Sequence, residues 1–177
     1  LTGWLSYRGS WFWLDNSGAM AVGWTNIGND WYLFEDDGRM LTGWQLTEDD
    51  QEWYYMRANG VMATGGLLDG GKWYYLDGEG IMKTGWVKVG ADWFHMNGSG
   101  VMSTGWLKSG NSWYWLDPAS GAMATGTKTV EGRESSFASS GAWLGYTDGS
   151  GAPDANADSQ SGSRDAVTNA EGQRLIM

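Results

Sequence analysis

Few residues in this sequence are of the types that carry catalytic or metal chemistry. The 177 residues include a single histidine, His95, and no cysteine. A Ser/His/Asp triad or a zinc site would need partners for His95 at a recognisable spacing, and the sequence shows none. The paired or clustered carboxylates fall in turn-like segments, where Asp favours turn geometry: Asp36, Asp37, Asp49, Asp50 and Asp77. We therefore expect no catalytic residue, no metal site and no cofactor.

Aromatic rings offer a different chemistry. The sequence holds 14 Trp, 8 Tyr and 4 Phe, more than one buried core normally needs. The faces of Trp and Tyr carry negative electrostatic potential, so a desolvated cage of rings attracts a quaternary ammonium ion by about 0.5 to 2 kcal/mol per ring. The formal net charge of −10 also favours cationic ligands, and it disfavours nucleic acid and anionic membrane surfaces as partners. With no run of 18 apolar residues, membrane insertion is not expected either.

The rings belong to a repeat that recurs along most of the chain. Gly-Trp steps, or their degenerate forms, begin at Gly3, Gly23, Gly43, Gly65, Gly85, Gly105 and Gly126, at spacings of 20, 20, 22, 20, 20 and 21 residues. After each of the first six steps comes a run of four residues such as WYYL, and the runs begin at Trp11, Trp31, Trp53, Trp73, Trp93 and Trp113. A fixed period near 20 residues is typical of solenoid proteins.

Each repeat predicts one β-hairpin. The aromatic run is typical of a strand, and a segment such as DGEG, ending at Gly80, supplies the positive φ of a tight turn. The returning strand would then carry the methionine of the repeat, for example Met82. Because an isolated hairpin is marginally stable in water, the hairpins must stack on one another. The predicted fold is an all-β, elongated solenoid of stacked β-hairpins.

The repeat pattern sets the predicted domain boundaries. Residues 1–147 form the solenoid, with about six full repeats and a degenerate C-terminal cap. In that cap Glu134, Ser135, Ser136 and Phe137 replace the aromatic run, and Trp143 takes the place of the methionine. Residues 148–177 contain no aromatic residue and predict a flexible polar tail or linker. Because the chain opens in mid-repeat at Leu1, we expect it to be a fragment, with any signal peptide or partner domain upstream.

The succession of TGW, WYYL and G-x-M-x-TGW resembles the choline-binding, or cell-wall-binding, repeat of Gram-positive bacterial surface proteins and of phage or autolysin wall lyases. The resemblance covers about Leu1 to Tyr146. It implies a left-handed solenoid that holds the choline of teichoic acids in aromatic cages between consecutive hairpins. It also implies a secreted, non-catalytic module located at the cell wall or cell surface, with choline-decorated teichoic acid or a related wall polymer as its partner.

In that family a cage typically takes two Trp from one hairpin, an aromatic residue from the next hairpin and a nearby Met. Carried over with the aromatic residue placed at the third position of the run, the resemblance implies three choline sites: Trp24, Trp31, Tyr55 and Met62; Trp44, Trp53, Tyr75 and Met82; and Trp86, Trp93, Trp115 and Met123.

Three departures from the family pattern predict weaker sites. Gly66 replaces the Trp of its Gly-Trp step, so the site at Trp73 and His95 loses a wall. Leu33 replaces the third-position aromatic residue facing Trp4 and Trp11. Ser136 does the same for Trp106 and Trp113, where Trp143 could compensate.

Other functions fit the same pattern. Most of the rings are expected to form the core between hairpins. Exposed Trp faces also stack on sugar rings, so a carbohydrate (glucan)-binding array is an alternative, and a structural spacer or adhesin stalk is another. The acidic balance and the recurring Met favour choline. The sequence also leaves open a second copy of the chain as a partner, in a homodimer formed through the end of the solenoid.

Overall fold

The computed structural model describes residues 1–151, which form strands and turns without a helix. The predicted tail at 148–177 lies largely outside these described residues. Within them, no helix has the length and apolar character needed to cross a membrane. The strands are β1 (Gly3–Tyr7), β2 (Ser10–Leu14), β3 (Gly23–Ile27), β4 (Asp30–Phe34), β5 (Gly43–Leu46), β6 (Trp53–Met56), β7 (Gly65–Asp69), β8 (Lys72–Leu76), β9 (Gly85–Val89), β10 (Asp92–Met96), β11 (Gly105–Ser109), β12 (Ser112–Leu116), β13 (Gly126–Val130), β14 (Arg133–Phe137) and β15 (Trp143–Tyr146).

Each strand pairs with its neighbour in the chain. β1 to β12 form six two-stranded sheets, which we call hairpins 1 to 6, and β13, β14 and β15 form a three-stranded sheet. The registers are antiparallel, as in hairpin 1, where Trp4 lies opposite Trp13 and Ser6 opposite Trp11. The predicted all-β class of consecutive hairpins is confirmed.

The composition of each hairpin differs from the prediction. The aromatic strand pairs with the Gly-Trp strand before it. The prediction that it pairs with a following strand that carries the Met is wrong, because the Met residues make only isolated bridges. Two-residue loops such as Gly70-Gly71, with φ of 55° and 74°, join the two strands. Positive φ at both central residues is the geometry of type I′ turns, which match the twist of paired strands. The shortest turn signal in the repeat therefore lies between the Gly-Trp strand and the aromatic run.

The methionines instead join one repeat to the next. Met62 makes only an isolated bridge, to Met56, in its own repeat. Its backbone N–H donates to the carbonyl of Trp31 in the preceding hairpin at 2.8 Å. Met40 repeats this contact with Trp11 at the same distance. The segments after β4, β6, β8, β10 and β12 each donate such a backbone hydrogen bond to the aromatic strand of the repeat before.

The two faces of a hairpin have different roles. Side chains alternate along a strand, and directly opposite residues of an antiparallel pair share a face. The fourth position of the aromatic run is fully buried at Met56, Leu76, Met96 and Leu116. The first position, on the other face, is half-exposed at Trp11, Trp31, Trp53 and Trp93. In hairpins 3 and 5 one face therefore buries its fourth-position side chain and the other presents a first-position indole to solvent, whereas the first-position Trp73 of hairpin 4 is buried.

The described chain divides into two compact units. Unit 1 comprises Leu1–Gly65 and Leu76–Met82, and unit 2 comprises Gly66–Tyr75 and the chain from Lys83 onward. The core of unit 2 holds two clusters of buried residues. One is Trp73, Val87, Phe94, Met96 and Met102; the other is Trp106, Trp115, Ala124, Val130 and Phe137.

Candidate ligand-binding pockets

Unit 1 contains an aromatic pocket lined by Trp24, Trp31, Tyr54, Met62 and the turn residues Gly78 and Glu79, here called the Trp24 pocket. The Trp24 and Trp31 rings stand 6.5 Å apart at 80°, and the Tyr54 ring lies 4.9 Å from Trp24 at 65°. The cavity has a volume of about 370 Å³. The indoles of Trp24 and Trp31 are 37% and 45% exposed, so their faces are accessible to a ligand.

Three successive repeats build this pocket. Trp24 on β3 and Trp31 on β4 share one face of hairpin 2, because Trp24 lies opposite Leu33, two residues along from Trp31. Tyr54 comes from β6 of hairpin 3, and the backbone bond to the Trp31 carbonyl holds Met62 beside them. The turn that follows β8 closes the pocket with Glu79.

A second pocket of the same design lies one repeat earlier. Trp4, Trp11, Tyr32, Met40, Ala58 and Asn59 line this Trp4 pocket, which has a volume of about 430 Å³. The Trp4 ring stands 6.4 Å from Trp11 at 85° and 5.0 Å from Tyr32 at 62°. The weakening expected here from Leu33 rested on the third position of the run. The ring that the second hairpin contributes is the second-position Tyr32.

The same shift of one position applies to Tyr55. The first predicted site grouped Tyr55 with Trp24, whereas the structure places Tyr54 there. Tyr55 lies opposite Trp44 in its own hairpin, and their rings are 5.1 Å apart. The physical reason is that hairpins stack front to back. The Trp-bearing face of one hairpin therefore meets the opposite face of the next, where the second position of the run points.

The hydrogen-bond partner of Tyr54 anchors its ring. Its hydroxyl donates to a carboxylate oxygen of Asp50 at 2.7 Å. Burial and this bond to an anion raise the pKa of Tyr54 to about 12, and the bonds from Thr47 and Tyr54 lower the pKa of Asp50. The carboxylate of the inserted segment between β5 and β6 thus fixes a wall of the Trp24 pocket.

The second predicted site is described in part. Trp44 and Trp53 stand 6.4 Å apart at 78°, like the Trp pairs of the two pockets. The backbone N–H of Met82 donates to the Trp53 carbonyl at 2.8 Å. Tyr75 lies in unit 2, where it packs against the cluster of Trp73 and Phe94. Its grouping with Trp44 stays a prediction.

The third predicted site also shifts by one position. Trp86 has Tyr114 as its neighbour in the next hairpin, at 4.9 Å between ring centroids. Trp115 lies against Trp106 of its own hairpin, at 5.3 Å, and is buried. The N–H of Met123 donates to the carbonyl of Trp93, whose ring is 40% exposed. Tyr114 thus takes the place expected for Trp115, and the role of Met123 in this site stays a prediction.

Comparison with known families identifies the repeat. The family model of the choline-binding repeat matches residues 21–60, 50–84 and 83–127, and that of the cell wall binding repeat matches residues 2–20. These matches span most of the chain. The chain belongs to the choline-binding repeat family.

Solved structures of choline-binding proteins are similar to this chain. CbpJ from Streptococcus pneumoniae is 40% identical, with a TM-score of 0.77 over 81% of this chain and 52% of that chain. Choline binding protein F from the same organism, in the presence of a peptidoglycan analogue, is 41% identical, with a TM-score of 0.75 and the same coverage. The pneumococcal cell wall endolysin from phage Cp-1, complexed with choline, is 38% identical, with a TM-score of 0.50 over 70% of this chain and 37% of that chain. The chain spans about half the length of the first two. No curated protein sequence matches it.

One choline-binding repeat departs from the pocket design. Gly66 stands where other repeats have the Trp of the Gly-Trp step, and Trp73 is only 4% exposed. The corresponding Trp31 is 45% exposed. Trp73 packs with Val87 and Phe94 in the core of unit 2. Trp73 thus serves packing, and the weak site expected here stays a prediction.

Aromatic residues of the three-stranded sheet pack against the Trp pair of hairpin 6. Trp106 stands 6.1 Å from Phe137 and 5.7 Å from Trp143, and the second position of the following run is the buried Ser135 instead of an aromatic residue. The ammonium of Lys108 lies 5.8 Å from the Trp113 ring. A side-chain cation thus already contacts the Trp face at this repeat.

His95 takes the place that aromatic residues hold in sibling repeats. Its ring lies 5.1 Å from Trp86, the same distance as between Tyr55 and Trp44. Nδ1 is 3.0 Å from the Ser103 hydroxyl, and burial lowers the pKa of His95. Within residues 1–151, His95 joins no group of carboxylates that could hold a metal ion. His95 therefore occupies the position of an aromatic side chain that packs against the Trp of its own hairpin.

Sequence reasoning missed the turn residues that complete the pockets. Ala58 and Asn59, or Gly78 and Glu79, lie far along the chain from the Trp residues they face. The sequence does show these turns, because each turn occupies the same position in its own repeat. Only the stacking of three repeats shows which pocket a given turn closes.

Proposed function

We propose that this chain is a non-catalytic wall-targeting module that binds the quaternary ammonium group of choline in its aromatic pockets. The observation that carries the proposal is the Trp24 pocket. There, three rings from two hairpins surround a solvent-accessible cavity of about 370 Å³. Ring faces at this separation attract a large, weakly hydrated cation. The net charge of −10 acts in the same direction.

The proposed partner is a polymer that carries many choline groups, such as a choline-decorated teichoic acid of a bacterial wall. The structures of related proteins with choline and with a peptidoglycan analogue support a wall polymer as the partner. One cage gives a dissociation constant of about 1 mM after the costs of binding. Two or more cages engaging one polymer raise the apparent affinity by about a hundredfold or more. The inferred location is the cell wall or cell surface.

Intrinsic Trp fluorescence tests the proposal. Titration of choline is expected to change the emission saturably in the millimolar range, and Trp31→Ala is expected to weaken the response. Trp73→Ala, at the buried ring, should leave the choline response of the Trp24 pocket in place. No response to millimolar choline contradicts the proposal. Retention on dextran that choline does not compete would favour the glucan-binding alternative.

A further inference from the structure

The two described pockets differ in one charged side chain. Both have two Trp, one Tyr and one Met, and each is closed by a turn. The Trp24 pocket is closed by Gly78 and Glu79, whereas the Trp4 pocket is closed by Ala58 and Asn59. A carboxylate therefore lines one cation cage, and a neutral amide lines the other.

The fold does not require the side chain of Glu79. In the turn at 77–80, a side-chain oxygen of Asp77 accepts hydrogen bonds from the N–H groups of Glu79 and Ile81, at 3.1 Å and 2.9 Å. In the Trp4 pocket the situation differs, because Asn59 itself accepts from the N–H of Val61 at 3.1 Å. Other repeats have Ser17 or Ser99 at this place in the turn. The carboxylate of Glu79 is thus available to act on the pocket it lines.

We infer that Glu79 makes the Trp24 pocket selective for quaternary ammonium ligands that carry no neighbouring anionic group, whereas the Trp4 pocket accepts both kinds. The inference rests on the proposed function. A carboxylate about 6 Å from an ammonium in water-like surroundings raises affinity on the order of threefold. The same carboxylate repels the phosphate of phosphocholine. The two pockets on one chain therefore bind a choline phosphodiester with unequal strength.

Site-resolved titration separates the two pockets. In ¹⁵N-labelled protein, the indole N–H signals of Trp31 and Trp11 report the Trp24 and Trp4 pockets. The probes are tetramethylammonium chloride and phosphocholine. In the wild type, the ratio of tetramethylammonium affinity to phosphocholine affinity is expected to be at least about threefold higher at Trp31 than at Trp11. Raising the salt concentration from about 0.01 M to about 1 M should remove this difference through screening.

Two variants of matched design assign the effect to the turn residue. Glu79→Gln keeps the size of the side chain, and it should lower the affinity ratio at Trp31 to the value at Trp11. Asn59→Asp keeps the oxygen that accepts from Val61 while adding a charge, and it should raise the ratio at Trp11. Each change is expected to leave the other pocket unaltered.

The outcomes distinguish this inference from the proposed function. If neither indole signal responds to tetramethylammonium, the proposed function is wrong. If both signals respond and Glu79→Gln leaves the affinity ratio at Trp31 unchanged, the cages bind the cation and the role assigned to Glu79 is wrong. A chemical-shift map of Glu79→Gln confined to residues near the turn confirms that the fold is retained.

Discussion

The indole of Trp24 and the phenol ring of Tyr54 stand 4.9 Å apart at an angle of 65°, although they belong to consecutive hairpins. The pair Trp4 and Tyr32 repeats the relationship at 5.0 Å and 62°. It arises because the Trp-bearing face of one hairpin meets the face of the next hairpin on which second-position residues lie. This contact forms the third wall of each pocket.

Replacing Tyr54 should weaken ligand binding, whereas replacing its neighbour should not. Tyr54→Leu keeps apolar bulk at a buried position but removes a ring face, so choline affinity at the Trp24 pocket should fall about threefold to tenfold. Tyr55→Leu is the matched control, because Tyr55 lies against Trp44. The measurement is a choline titration that follows the Trp31 indole signal. A larger loss with Tyr55→Leu would contradict the stacking order.

Two glycines of one turn should respond differently to alanine. Gly80 has a φ of +84°, and a Cβ there would lie 2.4 Å from the Sδ of Met62. Gly80→Ala should therefore lower the free energy of unfolding by about 1–3 kcal/mol. Gly78→Ala meets no atom within 4 Å, and alanine already occupies the corresponding position at Ala58, so its effect should stay within about 0.5 kcal/mol. Urea denaturation followed by circular dichroism measures both, and equal losses would count against the Met62 contact.

Replacing two first-position tryptophans should separate effects on stability from effects on choline binding. Trp73 is 4% exposed, so Trp73→Ala should lower the free energy of unfolding by about 3–5 kcal/mol. Trp31 is 45% exposed, so Trp31→Ala should cost about 1 kcal/mol and act mainly on the choline response. Thermal unfolding and choline titration of both variants test the contrast. A fully stable Trp73→Ala protein would show that this ring does not serve the core.

Mild acid should destabilise the protein through His95. Burial lowers the pKa of His95 below its ordinary 6.5, so the unfolded state takes up a proton more readily than the folded state. The stability contributed by the neutral ring is complete above about pH 6.5 and is lost as the pH falls through the folded-state pKa. The pKa of Asp37 is lowered from 3.8, chiefly by the backbone N–H of Arg39, so this carboxylate stays ionised throughout that window.

The variant His95→Tyr isolates this effect, because sibling repeats have Tyr55 and Tyr75 at the same place. Between pH 7.5 and about pH 5.5, Tm should fall more for the wild type than for His95→Tyr. Differential scanning calorimetry at both pH values measures the difference. Parallel falls in the two proteins would remove His95 as the cause.

Much of the repeat could be predicted because its signals are local. The aromatic runs predict strands, and Gly80 has the positive φ expected of a turn glycine. The error over the hairpin partner also has a local cause. Both DGEG and the short Gly70-Gly71 step are turn signals, and the two-residue loop with two positive φ values is the one that joins paired strands.

The sequence by itself determined the period, the all-β class and the residues that carry the rings, because strand propensity and turn chemistry act within a few residues. Only the tertiary structure decided which faces meet. A shift of one residue along a strand moves a side chain to the opposite face, so Tyr54 faces Trp24 while Tyr55 packs against Trp44. Stacking also brought Glu79 to a pocket opened by Trp24 and Trp31. No pattern within one repeat specifies that contact, because three repeats must pack before it exists.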